Sequence, residues 1–108
     1  MERPQPILQG TLDLLILRTL ALGPLHGLGI ADRIAQVTHG KLQIKAGSLF
    51  PALYRLEADR LLTADWGVAR TGRRAKVYTL TRSGRKRLAE EKRSWARAAL
   101  AIHQVLEM

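Results

Sequence analysis

The chain contains no cysteine. Disulfides, thiolate metal sites and a cysteine nucleophile are therefore excluded. Aromatic residues are scarce, one Phe, two Tyr and two Trp in 108 residues, too few to build a platform for stacking unpaired bases, which argues against a basic RNA-binding protein. Long apolar runs are also missing. The longest, Leu12 to Leu22, is interrupted by Arg18 and is too short to cross a bilayer, so no membrane association is expected. The start, Met-Glu-Arg-Pro-Gln-Pro, has no basic region leading into a cleavable apolar segment, and a cytoplasmic location is expected.

The inventory for catalysis is equally thin. His26, His39 and His103 lie far apart, with none of the short spacings that put two metal ligands on one helix face, and each is expected at a turn or surface. Glu90 and Glu91 are adjacent and so on different faces. Gly23, Gly27, Gly29 and Gly40 are scattered over helix junctions rather than gathered in a phosphate-cradling loop. Ser48 and Ser83 are better explained as helix caps than as nucleophiles. Neither an enzyme, a metal site nor a cofactor is expected.

Acidic residues are the remaining shortage, 9 Asp and Glu against 18 Lys and Arg, for a net charge of +9. The excess is local. Arg70 to Arg97 holds 11 basic and 2 acidic residues, whereas Met1 to Ala69 holds 7 and 6. A polyanionic partner is the first hypothesis, with a plain solvated basic face as the alternative.

What the chain does contain reads as a string of short elements. Met1 to Gln9, with Pro4 and Pro6, reads as an extended arm. A first helix starts at Gly10 or Thr11, with Leu12, Leu15, Ile16, Thr19, Leu20 and Leu22 on a broad apolar face, and Gly23-Pro24 ends it. Gly27 to Thr38 is a second helix closed by His39-Gly40. Lys41 to Lys45 alternates Lys, Leu, Gln, Ile, Lys, the pattern of a short extended piece.

Gly47 to Asp59 is a third helix with two unlike faces. Ser48 is placed as its N-cap and Pro51 in its first turn, where a missing N–H costs little. Leu49, Leu53 and Leu56 make a stripe for the core with Ala52 beside them. The other face carries Gly47, Ser48, Pro51, Tyr54 and Arg55, either a solvated surface or one suited to close approach.

Beyond Asp59 the period changes from 3.6 to 2. Leu62, Ala64 and Trp66 alternate with polar residues, a Gly-containing polar loop spans Val68 to Arg74, and Lys76, Tyr78 and Leu80 share one side of a second strand. The result is a hairpin projecting as a wing, with Arg70, Arg73, Arg74 and Lys76 at its tip. Trp66 is expected to pack in the core or in the hairpin. Thr81-Arg82-Ser83 then caps a helix running to about Glu107. Its seam of Leu88, Trp95, Ala98, Ile102 and Val105, widened by Ala99 and Leu106, is most apolar in its second half. No chain is left to cover it, so it is expected to pack on another copy or back across the first helix.

The fold expected is mainly α with a small β-hairpin: a winged helix-turn-helix over 1–80 (arm 1–9) and a C-terminal dimerisation helix over 81–108, forming one compact unit. In such a module the third helix enters the major groove of double-stranded DNA and the wing lies along phosphates. Ser48, Pro51, Tyr54 and Arg55 would face the groove, and Arg70, Arg73, Arg74 and Lys76 the phosphates. A winged helix serving only as a protein-interaction module is the alternative.

The chain resembles the PadR-like transcriptional regulators. The resemblance rests on Gly10-Thr-Leu-Asp-Leu-Leu-Ile-Leu, Gly23-Pro-Leu-His-Gly, Gly47-Ser-Leu-Phe-Pro-Ala-Leu-Tyr-Arg-Leu-Glu, Arg73-Arg74-Ala-Lys-Val-Tyr-Thr-Leu-Thr and Gly84-Arg, in order over nearly the whole length. It looks like a short form with one C-terminal helix. The resemblance implies a homodimeric regulator, usually a repressor, on a palindromic operator. Dimerisation would run through the last helix with help from the first, at Leu15, Leu88, Trp95, Ala99, Ile102 and Leu106. Some members bind planar aromatic effectors at the dimer interface, which makes Trp95 a candidate to stack such a ligand or simply to fill the dimer core. Two positions depart from the family pattern. Phe50 stands where tyrosine is usual, and Arg60 where glycine commonly closes the third helix, at a cost of about 1 kcal/mol if the backbone there is left-handed.

Overall fold

A computed structural model describes residues 10–68 and 71–108. The expected arm over 1–9 and the wing-tip Arg70 lie outside the described residues. Gly10, with φ 89, turns the chain into α1 (Thr11–Leu20), where Asp13 stands in the first turn near the positive end of the helix dipole. Ile16, Leu17 and Leu20 are buried, and the Thr19 hydroxyl donates to the Leu15 carbonyl at 2.7 Å, which lets a polar side chain share the apolar face.

Gly23-Pro24 ends the helix, and β1 (Leu25–His26) follows, a strand of two residues. It runs directly into α2 (Gly27–Val37). The end of α2 is a left-handed closure at His39, φ 52, where the His39 N–H donates to the Gln36 carbonyl and the Gly40 N–H to that of Ala35. Lys41 to Lys45, expected to be extended, forms no strand, only a single bridge at Leu42 and an extended Lys45. Its alternation records burial: Leu42 and Ile44 pack against the core while Lys41, Gln43 and Lys45 stay outside. The Leu42 N–H donates to the Thr38 hydroxyl at 3.1 Å and fixes the turn.

α3 (Ala46–Ala58) starts earlier than its side chains suggest. Lys45 is the cap residue, extended at ψ 145, and its carbonyl accepts from Ser48 and Leu49 at 3.0 and 2.9 Å. Ser48 is therefore inside the helix and caps nothing, and Pro51 stands in the second turn rather than the first. Burial of Leu49, Leu53 and Leu56 sets where the helix lies, and Ala46 and Gly47 extend it by about half a turn. The far end closes as α2 does: Arg60, φ 62, donates to the Glu57 carbonyl, and Leu61 to that of Leu56. The position is left-handed and occupied by a side chain that dislikes it.

β2 (Leu62–Val68) and β3 (Arg74–Leu80) form the antiparallel hairpin, and β1 pairs with the other edge of β3 to give the sheet order β1-β3-β2. Register puts Leu62 opposite Leu80, Ala64 opposite Tyr78, Trp66 opposite Lys76 and Leu25 opposite Tyr78 on one side of the sheet. Leu62, Tyr78 and Leu80 close the core made by Ile16, Leu17, Ile30, Leu49 and Leu53. Trp66 and Lys76 continue the same face past the core into the wing, and Trp66 is exposed rather than buried.

α4 (Arg82–Leu106) begins at Thr81, whose hydroxyl accepts from the Gly84 N–H at 3.0 Å and donates toward the Arg60 and Leu61 carbonyls. Thr81 is the cap, and Ser83 is not. This junction ties the end of α3 to the start of α4, and it is tight: a Cβ at Gly84 would collide with the Leu61 carbonyl oxygen. α4 packs on α1 and seats Leu88 in the core, yet every residue from Leu100 onward is exposed. The last turns do not fold back across α1.

Candidate nucleic-acid interface

α2 and α3 pack at a junction that has no room for a side chain. A Cβ on Gly27 would meet the Phe50 ring at 2.8 Å, so the glycine lets α3 settle against the start of α2. With its apolar stripe buried, α3 turns Gly47, Ser48, Phe50, Pro51, Tyr54 and Arg55 outward. Tyr54 is the most exposed of the aromatic side chains, at 75%. It is free to hydrogen-bond through its hydroxyl.

Arg55 is otherwise disposed. Its guanidinium donates to both carboxylate oxygens of Asp13 on α1, at 2.8 and 2.7 Å. Hydrogen bonding and charge from Asp13 raise the Arg55 pKa above its ordinary value, so the group stays cationic. The side chain remains half exposed. Nothing local in the sequence marks this pair, because the partners lie on different helices.

The wing is tied to α3 by Lys76, whose Nζ lies 3.7 Å from Glu57 Oε1. Tyr78 on the same strand is buried, and burial first, then the Glu57 charge, push its hydroxyl above the usual phenol range. Arg74 lies 5.0 Å over the Trp66 ring, a cation–π contact that orients the guanidinium along the wing and accounts for the tryptophan as hairpin packing. Arg73 is exposed with no charge partner among the described residues. The wing thus carries three described cations beside the outer face of α3. Seven more of the basic residues counted between Arg70 and Arg97 stand exposed on α4, from Arg82 to Arg97. Most of the local charge excess therefore belongs to the long helix.

Two grooves are of note, and only the first borders this surface. One, about 570 Å³, runs between the start of α2 and the wing and includes His26, Phe50 and Trp66. The other, about 210 Å³, lies between α1 and α2 and is lined chiefly by Leu15, Leu22, Ile34 and Val37. The first was not legible in the sequence, because β1 brings His26 beside the wing and two residues show no period. His39 and His103 are exposed, and no group of three or more His, Asp or Glu side chains gathers among the described residues. No described helix is long and apolar enough to cross a membrane.

A helix-turn-helix whose second helix is exposed beside a basic wing, followed by a long helix, defines the winged-helix class of DNA-binding regulators. The sequence profile of the transcriptional regulator PadR-like family matches residues 16–90. The chain belongs to that family. It is 37% identical over 79 residues to a transcriptional regulator of Mycobacterium tuberculosis, covering 73% of this chain and 70% of that protein. A PadR family transcriptional regulator from Eggerthella lenta superposes with a TM-score of 0.78 at 30% identity, over 93% of this chain and 85% of the other. A transcriptional regulator from Clostridium thermocellum gives 0.81 at 27% identity, over 89% and 93%. The likeness takes in the wing and the long helix as well as the helical core.

Proposed function

We propose that this regulator is a homodimeric repressor that binds a palindromic operator, with α3 in successive major grooves and the wings on the flanking phosphates. The observation that carries the reading is the outer face of α3, which exposes Ser48, Tyr54 and Arg55 while its Leu49, Leu53 and Leu56 stripe is wholly buried, set beside Arg73, Arg74 and Lys76. Ser48 and Pro51 would lie against the backbone and Tyr54 would reach base edges. Arg55 would border the groove while Asp13 holds its guanidinium back from phosphate. Arg70 belongs to the same wing-tip assignment by sequence.

The dimer would form along the second half of α4, where Trp95, Ile102 and Leu106 are half exposed or more without a partner among the described residues and Ala99 lies among them. Leu15, which lines the α1–α2 groove, would add to that contact. Leu88, expected on this seam, is instead 8% exposed in the protomer's own core, so the seam would start beyond it. Release by a planar aromatic effector belongs to the same reading, with Trp95 as its stacking partner where both copies border a gap.

The test is a titration with the duplex upstream of the protein's own gene against a shuffled duplex of equal length, at two salt concentrations. Tight binding of a dimer to the first duplex alone is expected. Equal, weak and steeply salt-dependent binding to both would reduce the basic surface to non-specific attraction and favour a protein-interaction module.

A further inference from the structure

Of the seven cations on α4 between Arg82 and Arg97, Arg87 is paired, its Nε 3.9 Å from Glu90. Arg82, Arg85, Lys86, Lys92, Arg93 and Arg97 are exposed with no carboxylate partner among the described residues. Helical spacing gathers them into a stripe. At 3.6 residues per turn, Arg82, Lys86, Arg93 and Arg97 fall within about 60° of one another, with Arg85 and Lys92 along one edge. The stripe is about 22 Å long, and the small Ala89 and Ala96 between its cations are exposed as well.

Its direction separates it from the surfaces already described. Gly84 and Leu88, on the opposite side of α4, are buried, and Trp95 and Ile102 continue that side. The stripe therefore faces away from the core, and a dimer sealed along Trp95 and Ile102 leaves it open. It is also remote from the wing tip, because β3 carries the chain about 20 Å beyond Arg74 before α4 begins.

The composition of the stripe selects its partner. Protein interfaces bury aromatic and apolar groups at their centre and are poor in Lys. No aromatic side chain stands among these cations, and the first large apolar group on that side, Leu100, lies beyond Arg97. Duplex DNA instead presents a phosphate every 3.4 Å of axis on each strand, about six along the length of the stripe. We propose that the α4 stripe holds the backbone of a second DNA duplex without regard to sequence, so that a dimer seated on its operator bridges to another segment of DNA. Phosphate contacts of this kind carry affinity and no sequence information. Bridging rests on the DNA-binding reading; the affinity of the stripe for duplex does not.

The experiment immobilises the duplex upstream of the protein's own gene, loads it with the full chain, washes it, and adds a fluorescent shuffled duplex at low salt. Capture of the second duplex is expected. Lys86→Gln, Arg93→Gln and Arg97→Gln together should reduce capture by about tenfold or more, as loss of three phosphate contacts implies, while the immobilised duplex holds as much protein as before. Glutamine is a good helix former and all three positions are exposed, so helicity by circular dichroism should hold. Arg93→Lys with Arg97→Lys keeps the charge and should keep the capture. No capture by the parent would overturn the proposal and leave the stripe to an acidic protein. Equal capture by the glutamine variant would overturn it too, by placing the second duplex on the dimer's other α3. If the immobilised duplex takes up no protein, the operator reading fails and the stripe is judged alone. In a chain already carrying Arg73→Ala and Arg74→Ala, the three glutamines should then flatten the salt slope for shuffled duplex by up to about 2.7; an unchanged slope sinks the stripe.

Discussion

Asp13 and Arg55, 42 residues apart, are joined by two hydrogen bonds that fasten the outer end of α3 to the first turn of α1. The geometry is bidentate, but both groups are partly exposed, so the pair contributes at most about 1 kcal/mol. Its weight lies in where it holds the guanidinium. Asp13→Asn should lower stability by no more than about 1 kcal/mol in a urea titration while freeing Arg55 for phosphate. Affinity for any duplex should rise, and the plot of log affinity against log salt should steepen by about 0.9. An unchanged slope would mean that Arg55 already contacts DNA from its paired position. Because the folded-state pKa of Arg55 is raised, its share of stability is complete below the ordinary arginine value and is lost only at still higher pH, so this guanidinium is no pH switch in the usual range.

Wing and helix should separate cleanly by what they change. Replacing Arg73 and Arg74 together with Ala should weaken binding to operator and shuffled duplex alike and flatten the salt slope by up to about 1.8, two phosphate contacts' worth. Tyr54→Ala should instead reduce the ratio between the two duplexes and leave the slope alone. The reverse pattern would exchange the two roles.

Two glycines give opposite expectations for one substitution. At Gly84 an added methyl meets the Leu61 backbone carbonyl and the Leu80 side chain, and backbone cannot step aside. Gly84→Ala should cost about 1–3 kcal/mol, read as a lower denaturation midpoint. At Gly47 the same methyl meets nothing within 4 Å and the position is helical. Gly47→Ala should gain about 0.5–1 kcal/mol. If α3 lies in the major groove as proposed, the stabler protein should nonetheless bind operator less tightly.

Much of this architecture was readable because burial leaves a period. Leu49, Leu53 and Leu56 marked α3, the change of period at Leu62 marked the hairpin, and the apolar seam with its cap region marked α4. Helix starts were less legible. Ser48 has the right side chain for a cap, but an extended Lys45 supplies the cap through its backbone, and any residue has a backbone. Lys41 to Lys45 alternates as a strand does, yet the alternation comes from two side chains reaching a core that belongs to other elements. The Asp13–Arg55 pair, the β1–β3 pairing and the groove beside Trp66 depend on where the helices cross. No local pattern encodes that.

The left-handed residues that close α2 and α3 offer a test of strain. Arg60 occupies φ 62, a conformation costing a non-glycine residue roughly 1–2 kcal/mol. Arg60→Gly removes that strain, though glycine's freer unfolded chain takes back about 0.4–1 kcal/mol. A net gain of up to about 1.6 kcal/mol is expected in thermal or urea unfolding. A net loss would show that the arginine side chain makes a contribution larger than its backbone strain.

The exposed half of α4 supplies the decisive test of assembly. Ile102 is 56% exposed in the protomer and lies between Trp95 and Leu106 on the same helix. In an isolated chain, Ile102→Glu exchanges a solvent-facing apolar group for a good helix former, so helicity and the unfolding midpoint should hold. In a dimer sealed along this face it buries a carboxylate opposite its own symmetry copy, and like charges without partners are strongly unfavourable there. Sedimentation should therefore show dimer for the parent and monomer for the variant at the same concentration. Operator affinity should fall steeply, since a monomer brings one α3 to a two-part site, while the weak attraction to shuffled duplex should persist through Arg73, Arg74 and the basic start of α4. A variant that stays dimeric would move the subunit contact away from this seam, toward the α1–α2 groove at Leu15.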